Sequence, residues 1–182
     1  VEQIAEAAPR LSRDISPECS QWFLMMMGCS GRLGAMLRSM YDAGILEIVI
    51  PAMEHARCLL HFNQYHHYTV DEHTFRTIEA VEKFEHDPGP IGIAYRGIRD
   101  KSMLHLALLL HDLGKGFEED HSEVGRVIAL RVADRLHLSD RDRETLVFLV
   151  HQHLKLATIA LRRDLDDPDL LMQLSQEVGS PE

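Results

Sequence analysis

LALLLHDLGKGFEEDH, Leu106 to His121, opens as an unbroken oily run and turns polar within two residues. The run Leu106–Leu110 has no polar side for water, and a helix that is apolar all round belongs inside a core. Why a buried helix should end in adjacent histidine and aspartate, His111 and Asp112, has two answers. In the first, the helix reaches solvent, Gly114 stops it, and Lys115 sits on the negative end of its dipole. In the second, two ligands stand at the inner end of a core helix, where a metal ion can be held out of bulk water. Adjacent helical residues point about 100° apart, so both reach one ion only if it lies off the helix end, between their directions. The local sequence leaves both answers open.

The same helical spacing extends outward from this stretch. Ser16 and Pro17 open an apolar run that closes at Met27 and Gly28, a cap residue, a first-turn proline and a glycine stop. A second unit runs from Ser30 through Met40 to Gly44. ILEIVIP, residues 45–51, reads as either a short buried strand or a helical turn; with no partner strand in sight, helix is expected. Asp71 and Glu72 favour a helix start after Thr69, and Phe75, Ile78, Val81 and Phe84 mark one face of it. HDPGPIGIAYRGIR, residues 86–99, holds two prolines and three glycines and is expected to be a loop. Helices are expected again over Lys101–His111, about His121–Leu136, Ser139–His153 with Ser139 as cap, and from Asp167 and Pro168 to about Val178. No useful period-2 alternation or internal repeat appears. The expected class is all-α: a single domain over residues 1–182, a bundle of seven to nine helices with a helical lead-in over about residues 1–50.

Composition narrows the function classes. The 182 residues are 45% hydrophobic and 26% charged, ordinary for a globular chain long enough to bury a core. A formal charge of −10 argues against a general nucleic-acid binder, which needs surplus Lys and Arg to neutralise phosphates. No stretch approaches the roughly 18 to 20 apolar residues of a membrane span. Cys19, Cys29 and Cys58 form no CxxC pair and suit a reducing cytoplasm. A first residue Val and a loose GSPE ending suggest a segment of a longer, multidomain protein.

Of twelve histidines, His55, His61, His66, His86, His105 and His137 read as surface or satisfied core residues. His73, His111, His121 and His153, with Asp112 and Asp164, instead stand beside carboxylates at the ends of helical segments. Imidazole nitrogen with carboxylate oxygen suits Mn, Fe, Zn or Co, and Mg where waters complete the octahedron.

His73 in YTVDEHT, HDLGK at 111–115, DHSEVG at 120–125, the His153 of QHL and Asp164 closing RRD together resemble the H…HD…H…H…D pattern of HD-domain metal-dependent phosphohydrolases. YHHYTVDEHTFRTIEAVEKF, LALLLHDLGKGFEEDHSEVG, LVHQHL and RRDLDDPDLL are similar to the HD domain of bacterial PII uridylyltransferase/uridylyl-removing enzymes, as is the lead-in from Gly31. The resemblance covers roughly residues 16–178. It implies one metal held by His73, His111, Asp112 and Asp164. Where such domains hold two, it implies a bridging Asp112 and a second ion on His121 and His153. Asp112 and Lys115 carry the catalytic expectation, with Lys115, Arg162 and Arg163 as candidate phosphate contacts. Ser122 is expected as a cap and Gly125 as a close-packing glycine, and His151 as a spare.

A divalent ion lowers the pKa of water from about 15.7 towards roughly 7 and neutralises phosphoryl charge, so the implied reaction is phosphoester hydrolysis. Its implied substrate is the UMP–tyrosine phosphodiester of uridylylated PII protein. The runner-up substrate is a free nucleotide, and a catalytically silent helical module is the reading from another class. SGRLG at 30–34 lacks the preceding strand and lysine of a phosphate cradle. The paired aspartates of a nucleotidyltransferase are absent too, so nucleotidyltransferase and sensor domains are expected elsewhere in the parent chain.

Overall fold

A computed structural model of the chain describes residues 8, 14–60, 68–162 and 167–179. These residues are helical, with no strand among them, and comprise nine helices of eight or more residues and two single turns. The chain divides into two compact units, Val1–His151 and Gln152–Glu182.

In the first unit the helices are α1 Pro17–Met27, α2 Leu33–Asp42, the turns α3 Leu46–Val49 and α4 Met53–Ala56, α5 Val70–Glu82, α6 Pro90–Gly97, α7 Ser102–Leu110, α8 His121–Arg135 and α9 Asp140–His151. The oily run is α7, and it is the hub. It packs against α1, α5, α8 and α9, and Leu106, Leu109 and Leu110 are fully buried. Each such side chain contributes about 1.5–3 kcal/mol relative to exposure, so the hub position explains why the run carries no polar face. Pairs α2–α5 and α8–α9 close around it. No helix among the described residues is long and apolar enough to cross a membrane.

The caps follow the sequence where a side chain makes them. Ser16 Oγ accepts from the Cys19 N–H at 3.3 Å, with Pro17 at the first helical position. Ser139 Oγ accepts from the Asp142 N–H at 3.2 Å and donates to its carboxylate at 2.7 Å. Two caps differ. The start of α2 is served from α5, where Glu82 accepts from the N–H groups of Leu33 and Gly34 at 2.6 and 3.3 Å. α8 is capped by Asp120, which accepts from Ser122 and Glu123, so Ser122 is a capped residue and not the cap expected of it. ILEIVIP is helical, as the single turn α3.

The expected loop at 86–99 is instead largely helical: a 3-10 turn Lys83–His86 and then α6. Asp87 accepts from the Gly89 N–H at 2.8 Å, and Pro90, with its preset φ, starts α6. A Cβ on Gly92 would lie 2.1 Å from the Asp87 carbonyl oxygen, so this glycine allows close approach and breaks nothing. Arg96 then ties the unit, donating to the carbonyls of Phe84, Glu85 and Asp87. The glycines and prolines act as position-specific helix signals there, which a count of them does not distinguish from a loop.

The second unit holds α10 Lys155–Arg162, which the sequence reading did not mark out, and α11 Pro168–Val178. α11 begins where expected, with Asp167 accepting from the Asp169 N–H at 3.0 Å, and ends at Gly179, whose φ of 76° favours glycine.

Candidate metal centre

α7 ends at Leu110, and residues 111–116 form a tight run of turns. Gly114 lets this run lie against the start of α8: a Cβ there would sit 2.1 Å from the His121 carbonyl oxygen and 2.8 Å from the Gly125 nitrogen. The glycine with left-handed backbone is Gly116, at φ 86°. Gly114 is thus a close-approach position more than a helix stop. Gly125 does what was expected of it more gently, with a Cβ position 3.3 Å from Val150 Cγ1.

This packing aims three donors at one point. His73, from the first turns of α5, and His111 and Asp112, from the end of α7, present ligand atoms that lie within 4.8 Å of one another. Asp112 Oδ2 is the centre, 3.4 Å from His73 Nε2, 3.3 Å from His111 Nε2 and 2.7 Å from Lys115 Nζ. The His73 and His111 rings lie 5.4 Å apart, centroid to centroid. His111 Nδ1 lies 2.8 Å from the Leu108 carbonyl, which can only accept. Nδ1 therefore donates, which fixes the ring orientation and leaves Nε2 as the nitrogen that faces Asp112.

Asp112 is 3% exposed. Burial pushes its carboxyl up, but the His111 ring and the Lys115 ammonium more than offset that and hold it well below the usual carboxylate range. It is an ionised carboxylate, an oxygen donor in a poorly hydrated place. Lys115, also buried, reaches back onto it, so its ammonium compensates the carboxylate. Its carbonyl is fixed from the other side by His55 Nε2 at 3.1 Å.

The remaining candidates divide by position. His121, the first residue of α8, brings a ring nitrogen within 4.8 Å of an Asp112 oxygen. His151, expected as a spare, pairs with Glu123 at 2.9 Å. His153 belongs to the second unit, and Arg162 is the last residue of α10 there. Arg163 and Asp164 lie outside the described residues.

Two further polar centres are buried. His105, expected as a surface or satisfied core residue, is the latter: Nδ1 donates to the Met27 carbonyl at 2.6 Å, and Nε2 meets the Tyr95 hydroxyl at 2.8 Å. Asp71, read only as a helix-start charge, is 5% exposed and accepts from the Cys58 and Glu72 N–H groups, each at 2.9 Å, and from the Tyr41 hydroxyl. Burial raises its carboxyl, and these bonds, with one from Thr69, outweigh it and hold the group below its ordinary value. Nothing in DEHT separates a buried aspartate from a solvated one.

Two imidazoles and an ionised carboxylate, gathered at a core helix end, are a donor set that fits a divalent ion of the Mn, Fe, Zn, Co or Mg group. The HD domain family model matches residues 70–178, and the chain belongs to this family of metal-dependent phosphohydrolases. It is 40% identical over 169 residues, 90% of its length, to a bifunctional uridylyltransferase/uridylyl-removing enzyme of Cereibacter sphaeroides. It is 40% identical over 167 residues, 88% of its length, to one of Ruegeria pomeroyi. The chain spans 18% of the length of each of these relatives.

Proposed function

We propose that the chain is the uridylyl-removing domain of a longer cytoplasmic enzyme and hydrolyses the phosphodiester between UMP and a tyrosine of the nitrogen-regulatory PII protein. The carrying observation is the convergence of His73 and His111 on the buried, ionised Asp112. The relatives' names favour uridylyl removal over a free nucleotide as the reaction. In this proposal His73, His111, Asp112 and Asp164 hold one ion. Asp112 is shared with a second ion where His121 and His153 take part, and the nearness of His121 to Asp112 supports that extension.

A bound divalent ion would lower the pKa of a water and neutralise charge on the phosphoryl oxygens. The protein's own part is to hold, orient and compensate. His111 is oriented by its Leu108 bond, and Asp112 is kept ionised for ligation. Lys115 donates to Asp112 and is assigned to a phosphoryl oxygen of the substrate. Arg162 and Arg163 are assigned to the uridylate phosphate.

The test is release of UMP from uridylylated PII protein by the purified chain with Mn²⁺. His111→Ala and Asp112→Ala should each lose at least about a hundredfold, since losing even the outer partner of a metal ligand costs about 10–100-fold. Turnover of free nucleotides without UMP release from the protein would establish the other substrate class, and absence of any bound metal would sink both enzyme readings.

A further inference from the structure

We propose that Asp71 is a positioning residue for His73: with Tyr41 it forms a buried clamp that fixes the first turn of α5 and so sets where the His73 imidazole stands against Asp112. This rests on the metal-centre reading above. The bonds of Asp71 come from three segments. Its Oδ1 takes the Glu72 N–H, and its Oδ2 takes both the Cys58 N–H and the Tyr41 hydroxyl. Beside it, the Val70 N–H donates to the Leu59 carbonyl at 2.9 Å, so the turn at 58–59 is tied to the start of α5 by two bonds. Cys58 holds a left-handed backbone, φ 53°, which non-glycine residues adopt sparingly.

Tyr41 extends the clamp past His73. Its ring meets Phe75, 1% exposed, edge-on at 5.2 Å, while Arg57 lies 3.8 Å over its ring centre and donates to its carbonyl at 2.9 Å. One tyrosine from α2 therefore grips α5 two residues before and two residues after His73. The His73 N–H itself closes the first turn, onto the Thr69 carbonyl at 2.8 Å. A carboxylate that only favoured the helix dipole would sit in water; burying it is costly unless it is well bonded. Ligand sites tolerate displacements of only about 0.5 Å, and clamps of this kind supply that tolerance.

The measurement is Mn²⁺ affinity of the chelator-treated chain by calorimetry, with the His73 ring followed by imidazole ¹⁵N NMR in the metal-free protein. Asp71→Asn places an amide donor where one oxygen accepted, and is expected to weaken Mn²⁺ about tenfold. Tyr41→Phe removes one bond and is expected to weaken it about threefold. Both should move the His73 ring signals. Ile78→Val, a fully buried change in the same helix, controls for general loosening and should stay within twofold with its His73 signals in place. Wild-type affinity in both clamp variants, or an equal loss in Ile78→Val, overturns the inference while leaving the metal centre standing. If Asp71→Asn fails to fold, Tyr41→Phe alone decides. A wild-type chain that takes up no Mn²⁺ sinks the metal reading, and the inference with it.

Discussion

Asp112 and Lys115 form a buried ion pair at 2.7 Å, and truncating one member of such a pair leaves the other charge poorly compensated. Asp112→Ala should therefore destabilise the metal-free chain by roughly 3 kcal/mol in urea titrations with EDTA present. Adding Lys115→Met, which removes the second charge and keeps its apolar stem, should recover most of that loss. A double variant as unstable as the single would show that the pair matters for packing and not for charge. His105 gives a pH-dependent prediction away from the metal donors. Its pKa is lowered from 6.5, chiefly by burial, so the unfolded chain takes up a proton that the folded one refuses as pH falls. Its contribution is then complete above about pH 6.5 and declines below it, by at most about 1.4 kcal/mol per pH unit for one proton. His105→Gln should flatten that part of the stability profile between pH 7.5 and 5.5. The other histidines are common to both proteins, so the difference between the two curves is the quantity to measure.

Between elements, closeness of backbone decides what substitutions cost. Gly114→Ala puts a methyl 2.1 Å from the His121 carbonyl, a contact with backbone that can be relieved only by moving the start of α8. The expected cost is about 3 kcal/mol, the upper end for overpacking, with weakened metal binding because Asp112 and His121 flank the contact. Gly125→Ala meets only the tip of Val150 at 3.3 Å and should cost under about 1 kcal/mol. Urea midpoints of the two variants check the order. Elements whose signals are local were legible in sequence: α1 from Ser16, Pro17 and Gly28, α11 from Asp167 and Pro168, and α7 from a run with no polar face. α6 was not, because its helix depends on bonds from Arg96 back to carbonyls nine to twelve residues earlier. The same holds for the α2 cap, whose carboxylate arrives from Glu82, 49 positions away in the case of Leu33.

At the scale of the whole molecule, the candidate site was legible as a set of residue types and not as a geometry. His73 and Asp112 are brought together by α5 and α7 packing side by side, a closeness that neither their place beside carboxylates at helix ends nor the resemblance of their motifs gives as a distance. The clamp on Asp71 escaped because its donors come from Cys58 and Tyr41, in segments with no motif of their own. A centre built from separate helices couples metal binding to folding, since the unfolded chain does not hold His73, His111 and Asp112 together. An ion present at a hundred times its Kd should add about 2.7 kcal/mol of stability. For a chain of this length that is roughly 5–10 °C in Tm, at about 2–4 °C per kcal/mol. Differential scanning fluorimetry with Mn²⁺, reversed by EDTA, reads this shift. His111→Ala should abolish it, because a core donor of the cluster is gone. His121→Ala should keep most of it, because the three donors on α5 and at the end of α7 remain, and calorimetric stoichiometry should then stand at one ion. If His121→Ala removes the whole shift, the first ion depends on α8 as well, and the one-ion arrangement around His73, His111 and Asp112 is wrong.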